Sequence, residues 1–216
     1  MKVLLVAKAP VAGRVKTRLG ALVGHDAAAD LAAAALLDTL DACRATGAGG
    51  HLSLDGDVAD AVRGAEVAAA LEGWTVTPQR GDDFAARLVA AHRDAGDGVV
   101  VQIGMDTPQV TAAALVDVVD AMADHDAVLA PATDGGWWAL ARRRADVVRH
   151  LREVPMSSDR TFDETQAALE RAGARVTHGA SMTDVDEVAD ADLVASLAPG
   201  TRFAEAWRAL RAGAAS

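Results

Sequence analysis

The chain has 216 residues, a formal net charge of −10 and one cysteine, and 51% of its residues are hydrophobic while only 3% are aromatic. The single cysteine excludes a disulfide framework and a multi-cysteine zinc site, and no stretch approaches the roughly 20 apolar residues of a membrane span. We therefore expect a soluble, cytoplasmic protein with no signal peptide and no membrane span, and its acidity argues against nucleic acid as a partner.

Strand-like and helix-like segments alternate along the sequence. Apolar or β-branched runs predict strands, and longer alanine- and leucine-rich stretches with capping residues predict helices. The predicted strands are 3–7, 51–54, 74–77, 99–103, 127–130, 137–141 and 175–178. The predicted helices are 25–45, 58–71, 82–95, 111–123, 158–172, 187–197 and 202–212. This alternation implies βαβ crossovers, a mainly parallel sheet in one α/β domain over 1–216, and a ligand cleft at the carboxyl ends of the strands.

Basic residues are concentrated at the start of the chain. Residues 1–18 carry five basic and no acidic side chains, a charge of +5 that leaves −15 for the remainder. Four of them, Lys8, Arg14, Lys16 and Arg18, lie in a loop directly after the first predicted strand. Cationic groups at the mouth of a parallel sheet can neutralise a polyphosphate. The loop matches neither Walker A nor G-x-G-x-x-G, and a merely solvating basic patch is the alternative interpretation.

Three aspartates are candidate metal ligands. Asp106 follows the most strand-like run and could hold Mg²⁺, or it could cap the following helix. Asp184 and Asp186 flank one residue, so in an extended backbone their side chains point to the same side and could share a cation. An exposed acidic turn is the alternative for this pair. The six histidines show no short pairing, so a histidine-based metal site is not expected.

A glycine turn followed by two tryptophans occupies residues 131–139. Its ordinary explanation is a hairpin with both tryptophans in the core. Because adjacent residues of a strand point to opposite sides, one of Trp137 and Trp138 could instead line a cleft. Ser157 and Ser158 precede a predicted helix and are expected to cap it.

Together and in this order, these segments resemble a bacterial family of uncharacterised proteins, DUF2064, often labelled as glycosyltransferases. The family is placed with the nucleotide-diphospho-sugar transferases of the GT-A fold. The resemblance spans nearly the whole chain and is carried by KAPVAGRVKTRL (8–19), QRGDDFAARL (79–88), IGMDTP (103–108), PATDGGWWAL (131–140), MSSDRTFDETQAAL (156–169) and DVDEVADA (184–191). More distantly, the chain is similar to the phospholactate, phosphoenolpyruvate and molybdenum-cofactor guanylyltransferases.

The resemblance implies a nucleotide-binding transferase that uses Mg²⁺, with Mn²⁺ as an alternative. The implied nucleotide-binding positions are Lys8, Ala9, Gly13, Arg14, Lys16, Arg18, Gln79, Gly81 and Asp82. The implied metal ligands are Asp106, Asp184 and Asp186, the implied acceptor side is Asp134, Gly135, Gly136 and Trp137, and the implied catalytic residues are Arg14, Lys16 and Asp106. Gln79 and Gly81 fall where related enzymes recognise the base.

Two reactions fit these residues. In the first, a phosphate or carboxylate oxygen of a small acceptor attacks the α-phosphate of a nucleoside triphosphate and releases pyrophosphate. In the second, a glycosyltransferase of the GT-A fold uses a nucleotide-sugar, with Asp134 as the candidate base. The basic loop favours the first, because a triphosphate brings more charge to neutralise. A nucleotide-binding protein without turnover is the third possibility, and the base, the acceptor and the oligomeric state are left open.

Overall fold

Within residues 1–214, the part of the chain that the computed structural model describes, seven strands form one sheet. They are β1 (Lys2–Lys8), β2 (Gly49–Asp55), β3 (Thr75–Pro78), β4 (Val100–Ile103), β5 (Ala127–Pro131), β6 (Trp137–Arg142) and β7 (Val176–His178). Their spatial order is β3-β2-β1-β4-β6-β5-β7. Only β6 runs antiparallel to its neighbours, β4 and β5. The predicted mainly parallel sheet is confirmed, with one antiparallel strand that the sequence pattern did not indicate.

Helices cover both faces of this sheet. Those of the described residues are α1 (Thr17–Val23), α2 (His25–Ala45), α3 (Gly64–Ala70), α4 (Phe84–Ala95), α5 (Ala112–Asp120), α6 (Thr161–Arg171), α7 (Val188–Leu197) and α8 (Arg202–Ala214), with short 3₁₀ helices at Val58–Asp60 and Ala145–Glu153. None of these helices is long and apolar enough to cross a membrane. Residues 215 and 216, the end of the predicted domain, lie outside the described part.

The strand residues alternate between two apolar layers. Val101 and Ile103 of β4 belong to the core formed with α2, α3 and α5. Val100, one position earlier, belongs to the opposite core, which includes Leu4 and Leu88 of β1 and α4. This alternation follows from the two-residue period of a strand. The carboxyl ends of β1 and β4 remain open between these two layers.

Two helical regions differ from the sequence prediction. The predicted helix at 58–71 is wrong as one element, because Arg63 has a left-handed backbone (φ 58°) that separates the 3₁₀ turn from α3. A Cβ atom at Gly64 would lie 2.5 Å from the carbonyl oxygen of Val58, so glycine permits this sharp turn. Helix α1 and the 3₁₀ helix Ala145–Glu153 were not predicted, because α1 has only seven residues and a 3₁₀ helix lacks the 3.6-residue period of an α-helix.

The hairpin predicted at 131–139 is present and contains a β-bulge. Ala130 pairs with Ala139 but Pro131 pairs with Trp137, so Trp138 is an extra residue in β6. The indole N–H of Trp137 donates to Thr165 Oγ1 on α6, and that of Trp138 donates to the backbone carbonyl of Ala180. The two tryptophans therefore serve opposite layers, and both reach the cleft at the strand ends.

Candidate functional site

A cavity of about 560 Å³ opens where β1 and β4 end. This is the edge at which open α/β sheets place their ligand clefts. Most of the side chains that the sequence singled out line it: Lys8, Arg14, Lys16, Arg18, Gln79, Asp106, Asp134, Gly136, Trp137, Asp184 and Asp186. Segments far apart in the sequence thus meet in one cleft.

Lys16 is the centre of the charged group in this cleft. Its Nζ lies 2.6 Å from Asp106 Oδ1 and 3.1 Å from Asp186 Oδ1, and it also donates to the carbonyl of Val185. The Lys16 side chain is 8% exposed, whereas those of the two aspartates are 44% and 43% exposed. Burial lowers the pKa of Lys16, but the two carboxylates raise that pKa by more and leave it above its ordinary value. Lys16 is therefore a cation at neutral pH.

Local turns hold the two aspartates in place. The backbone N–H of Val185 donates to the carbonyl of Asp106, which ties the segment before α7 to the loop after β4. Asp190 Oδ2 accepts from the N–H groups of Asp186 and Glu187 at the start of α7. The interpretation of Asp106 as a helix cap is wrong, because α5 begins later and is capped by Thr111. Asp106 is thus left free to face the cleft.

Two of the three candidate metal ligands converge in the cleft. Asp106 and Asp186 meet at one point, which the Lys16 ammonium occupies. Among residues 1–214, no cluster of three or more His, Cys, Asp or Glu side chains is arranged to hold a metal ion. Two carboxylates beside a cleft that Arg14 and Arg18 line nevertheless match the preference of Mg²⁺, which takes one or two carboxylates together with substrate phosphates. The two carboxylates are therefore the type of ligand that Mg²⁺ takes, and the Lys16 ammonium lies between them.

Asp184, the third candidate metal ligand, differs from Asp106 and Asp186 in its surroundings. Burial and the charges of Asp134 and Asp186 together raise its pKa to about 6, against the opposing effects of a backbone hydrogen bond and the charge of Lys16. No contact joins its carboxylate to the Lys16 ammonium. Asp184 instead lies near Asp134, and both line the cavity.

Two glycines, Gly135 and Gly136, determine the conformation of the turn that carries Asp134. The backbone N–H of Gly136 donates to Asp134 Oδ1 at 2.7 Å, which orients the carboxylate. Gly135 has φ 92°, and a Cβ there would lie 2.6 Å from the carbonyl oxygen of Asp159. Gly135 thus permits close packing against the segment before α6 and does not itself line the cavity. Its role in this structure is to shape the turn.

Gln79 marks the opposite end of the cleft, near β3. Its Nε2 donates to the carbonyls of Ala7 and Ser53, at 3.0 and 3.1 Å. Four other residues predicted for nucleotide binding, Ala9, Gly13, Gly81 and Asp82, do not line this cavity. Ala9 instead lines an adjoining pocket of about 150 Å³ together with Lys8 and Arg14.

Several cavity-lining residues were not singled out in the sequence. They are Phe84, Arg87, Gln102, Thr107, Met156 and Thr161, as well as Ser157 and Ser158, which were expected only to cap α6. Ser158 Oγ does accept from the N–H of Arg160, while Ser157 has a left-handed backbone, φ 67°. A polar Gln102 within the apolar run 99–103 was the signal that could have been noticed.

This architecture is the GT-A-like fold of nucleotide-dependent transferases, as predicted. A family model described as an uncharacterised protein conserved in bacteria, DUF2064, matches residues 39–158, and the chain belongs to that family. Comparison with curated proteins gives no match.

Solved structures share the whole architecture. A candidate nucleotide-diphospho-sugar transferase from Desulfovibrio desulfuricans is 27% identical, with a TM-score of 0.79 over 99% of this chain and 95% of its own. A manganese complex of Rv0371c from Mycobacterium tuberculosis is 22% identical, with a TM-score of 0.53 over 89% of this chain and 97% of its own. A nucleotidyl transferase from Methanothermobacter is 18% identical, with a TM-score of 0.57 over 92% of this chain and 98% of its own.

Proposed function

We propose that this protein is a Mg²⁺-dependent nucleotidyltransferase. It would move a nucleoside monophosphate from a nucleoside triphosphate to a small acceptor bearing a phosphate or carboxylate, and release pyrophosphate. The observation that carries this proposal is the buried Lys16 ammonium held by Asp106 and Asp186 in a cleft that Arg14 and Arg18 also line. Such a group suits transfer of a phosphoryl centre, which needs positioning and charge neutralisation more than covalent chemistry.

The ion pairs of Lys16 suggest how the cleft accepts a triphosphate. Phosphate oxygens compete with Asp106 and Asp186 for the ammonium, and once they hold it the two carboxylates are released. Those carboxylates would then hold Mg²⁺, or Mn²⁺ as in the relative solved with manganese. When bound, the ion would supply charge neutralisation for the triphosphate. Arg18, which is 71% exposed and 3.5 Å from Asp186, can turn to the phosphates without losing a buried partner.

The acceptor side needs no general base in this reaction. A phosphate or carboxylate is already ionised at neutral pH and can attack directly. No histidine lines the cavity in the described part of the chain, which accords with such an acceptor.

Glycosyl transfer is the second candidate, and one feature favours it. Asp134 is oriented by the Gly136 N–H and lies close enough to Asp184 to raise the pKa of that carboxyl. An oriented carboxylate is the base that a hydroxyl acceptor would require. The similarity to the Desulfovibrio protein, whose description names a nucleotide-diphospho-sugar substrate class, points the same way.

One experiment separates these reactions. The protein is incubated with Mg²⁺, the four nucleoside triphosphates, a set of nucleotide-sugars and the small-molecule fraction of a bacterial extract, and pyrophosphate and nucleoside diphosphate are both followed. Pyrophosphate release that depends on the extract is the expected result. Diphosphate release from a nucleotide-sugar would replace the proposal with glycosyl transfer, and silence in both channels with nucleotide binding intact would replace it with a binding role.

A matched pair of variants assigns the activity to the cleft. Lys16→Met removes the central ammonium and should abolish pyrophosphate release. Arg144→Met removes an exposed arginine that pairs with Asp146 and does not line the cavity, and it should have no effect.

A further inference from the structure

Gln102 is a polar residue in an apolar row of the sheet. It lies on β4 between Leu4 of β1 and Leu140 of β6, and it is 3% exposed. Residues opposite one another on neighbouring strands project from the same face, so its amide is flanked by two buried leucines. A buried amide in such surroundings is unfavourable unless its donors and acceptor are satisfied. One half of this amide is satisfied by the protein and the other half is not.

The satisfied half ends a chain of buried polar groups that begins at Arg142. Arg142 Nε donates to His92 Nδ1 at 3.2 Å, and His92 Nε2 lies 3.1 Å from Gln102 Oε1. Arg142 Nη2 and Nη1 also donate to the carbonyls of His92 and Gly98, at 2.8 and 3.3 Å. His92 and Arg142 are both fully buried. These three side chains, Arg142, His92 and Gln102, are called the buried relay below.

The chemistry of the relay determines the orientation of the Gln102 amide. A guanidinium can only donate, so His92 Nδ1 must accept and the ring proton must be on Nε2. That N–H then donates to Gln102 Oε1, which places the amide NH₂ of Gln102 on the other side. Burial, together with the charge of Arg142, lowers the pKa of His92 to about 3, so the imidazole stays neutral and this tautomer persists.

The amide NH₂ faces the cavity without a protein partner. Gln102 lines the cavity, and within residues 1–214 no atom accepts a hydrogen bond from its Nε2. Trp137 and Met156 pack against the apolar cluster on this face of the sheet and also line the cavity. An unpartnered donor at an apolar wall is the arrangement that fixes one polar atom of a bound small molecule.

Arg142 indicates the charge of that atom. Burial lowers its pKa to about 10, so it remains a cation at neutral pH. All of its hydrogen bonds within the described residues go to uncharged groups, those of His92 and Gly98, and none goes to a carboxylate. Asp97 is an opposite charge at longer range, but no carboxylate accepts a hydrogen bond from Arg142, so its buried positive charge favours a further anion nearby, and the chain of hydrogen bonds conveys this polarity to the Gln102 amide.

We propose that Gln102 is a binding residue of the acceptor side, whose amide N–H donates to an anionic oxygen, of a carboxylate or a phosphate, on the small-molecule acceptor. His92 and Arg142 are its positioning residues. That the bound anion is the acceptor rests on the proposed nucleotidyl transfer. Binding of an anion by the Gln102 amide does not depend on turnover. The competing explanation is that Gln102 serves only to accept from His92.

Two substitutions at one position separate these explanations. Gln102→Leu removes donor and acceptor and restores an unbroken leucine row. Gln102→Glu keeps an oxygen for His92 but presents a second carboxylate oxygen to the cavity where the donor was. Gln166→Leu is the matched control, because Gln166 is a partly buried glutamine on α6 that does not line the cavity.

The first measurement is pyrophosphate release at varied amounts of the active extract fraction and of nucleoside triphosphate. We expect both Gln102 variants to raise the acceptor KM about tenfold or more, as for loss of a hydrogen bond to a charged group, with the nucleotide KM unchanged. Gln166→Leu should resemble wild type. A wild-type acceptor KM in Gln102→Glu, or a change confined to the nucleotide KM, would overturn the inference.

If wild type releases no pyrophosphate, the proposed function is wrong. A second measurement then tests the anion site independently of activity. The side-chain amide resonances of Gln102 in ¹⁵N-labelled protein are assigned by their loss in Gln102→Leu, and the protein is titrated with acetate and with methyl phosphate. A saturable shift of the Gln102 NH₂ signals with either anion supports the anion site. The anion that binds with the lower Kd shows whether the site prefers a carboxylate or a phosphate. No shift with either anion overturns it.

Discussion

The two charged clusters beside the cavity are built in opposite ways. Around Lys16, a buried ammonium is held by two carboxylates that are each more than two-fifths exposed. In the buried relay, Arg142, His92 and Gln102 are almost completely enclosed, and the only charge is that of Arg142. The first cluster can exchange partners because water can take over the carboxylates. The second cannot, because every group it releases would be left buried and unsatisfied.

This difference separates two tasks within one cleft. An exchangeable cluster suits phosphates and a metal ion that come and go, whereas a fixed relay suits a donor that must keep one orientation. Breaking the relay at Arg142 should therefore affect mainly stability, and breaking the Lys16 cluster should affect mainly nucleotide binding. The four tests below run from the largest expected effect to the smallest.

Arg142→Met should lower the free energy of unfolding by about 3 kcal/mol, because it removes three hydrogen bonds and leaves buried acceptors of His92 and Gly98 unpaired. Urea denaturation measures this change. Lys16→Met should change the same quantity by less than about 1 kcal/mol, since Asp106 and Asp186 remain hydrated. Equal losses in the two variants would show that the clusters do not differ as described.

Lys16→Met should instead weaken nucleoside triphosphate binding about 100-fold, close to 2.7 kcal/mol, because it removes the cation that the phosphates would share. Isothermal titration with each of the four triphosphates measures the Kd. Arg144→Met is the control and should bind as wild type does. An unchanged Kd in Lys16→Met would place the phosphates elsewhere.

The relay should also make stability depend on acid pH. Burial keeps the pKa of His92 near 3 in the folded protein, below the unfolded value of roughly 6.5. Its contribution is complete above pH 6.5 and falls as the pH drops, because the unfolded chain takes up a proton that the folded chain refuses. His92→Gln can accept from Arg142 and donate to Gln102 without titrating.

Between pH 7.5 and 5, wild type should therefore lose about 2 kcal/mol more unfolding free energy than His92→Gln. Urea denaturation at the two pH values gives the comparison. Parallel losses in the two proteins would mean that His92 takes up its proton in the folded state.

Asp106→Asn should have the smallest effect, about a tenfold weaker affinity for triphosphate in the presence of Mg²⁺. Without metal, its affinity should be no weaker than that of wild type, because Lys16 has lost a competing partner. Titrations with Mg²⁺ and with EDTA measure both values, and Asp146→Asn is an exposed control away from the cavity. Equal affinity of Asp106→Asn and wild type in both conditions would remove Asp106 from the proposed site.

Much of the fold could be predicted because strands buried in a parallel sheet are apolar runs. Segments 3–7, 99–103 and 127–130 all became strands, and the long helix 25–45 has the bounds predicted. Strand direction is decided by tertiary pairing, so the antiparallel β6 left no local signal. The break at Arg63 was missed because alanine-rich composition outweighs a single left-handed residue in a sequence pattern.

The charged part of the site was easier to predict than the rest. Lys16, Asp106 and Asp186 follow or precede recognisable elements, so their meeting could be anticipated from the edge they share. Gln102 stands out in its apolar run, but its role could not be predicted, because that role depends on His92, ten residues earlier, and on Arg142, forty residues later, and the three show no joint pattern. Contacts between elements, rather than residue types, determine that part of the cleft.

The backbone conformation of Lys16 has a consequence for substitutions at this position. It lies in the left-handed region, at φ 46° and ψ 44°, where an L-residue is strained and glycine is at ease. A glycine at position 16 would relieve this backbone strain, but it would also remove the ammonium that Asp106 and Asp186 hold.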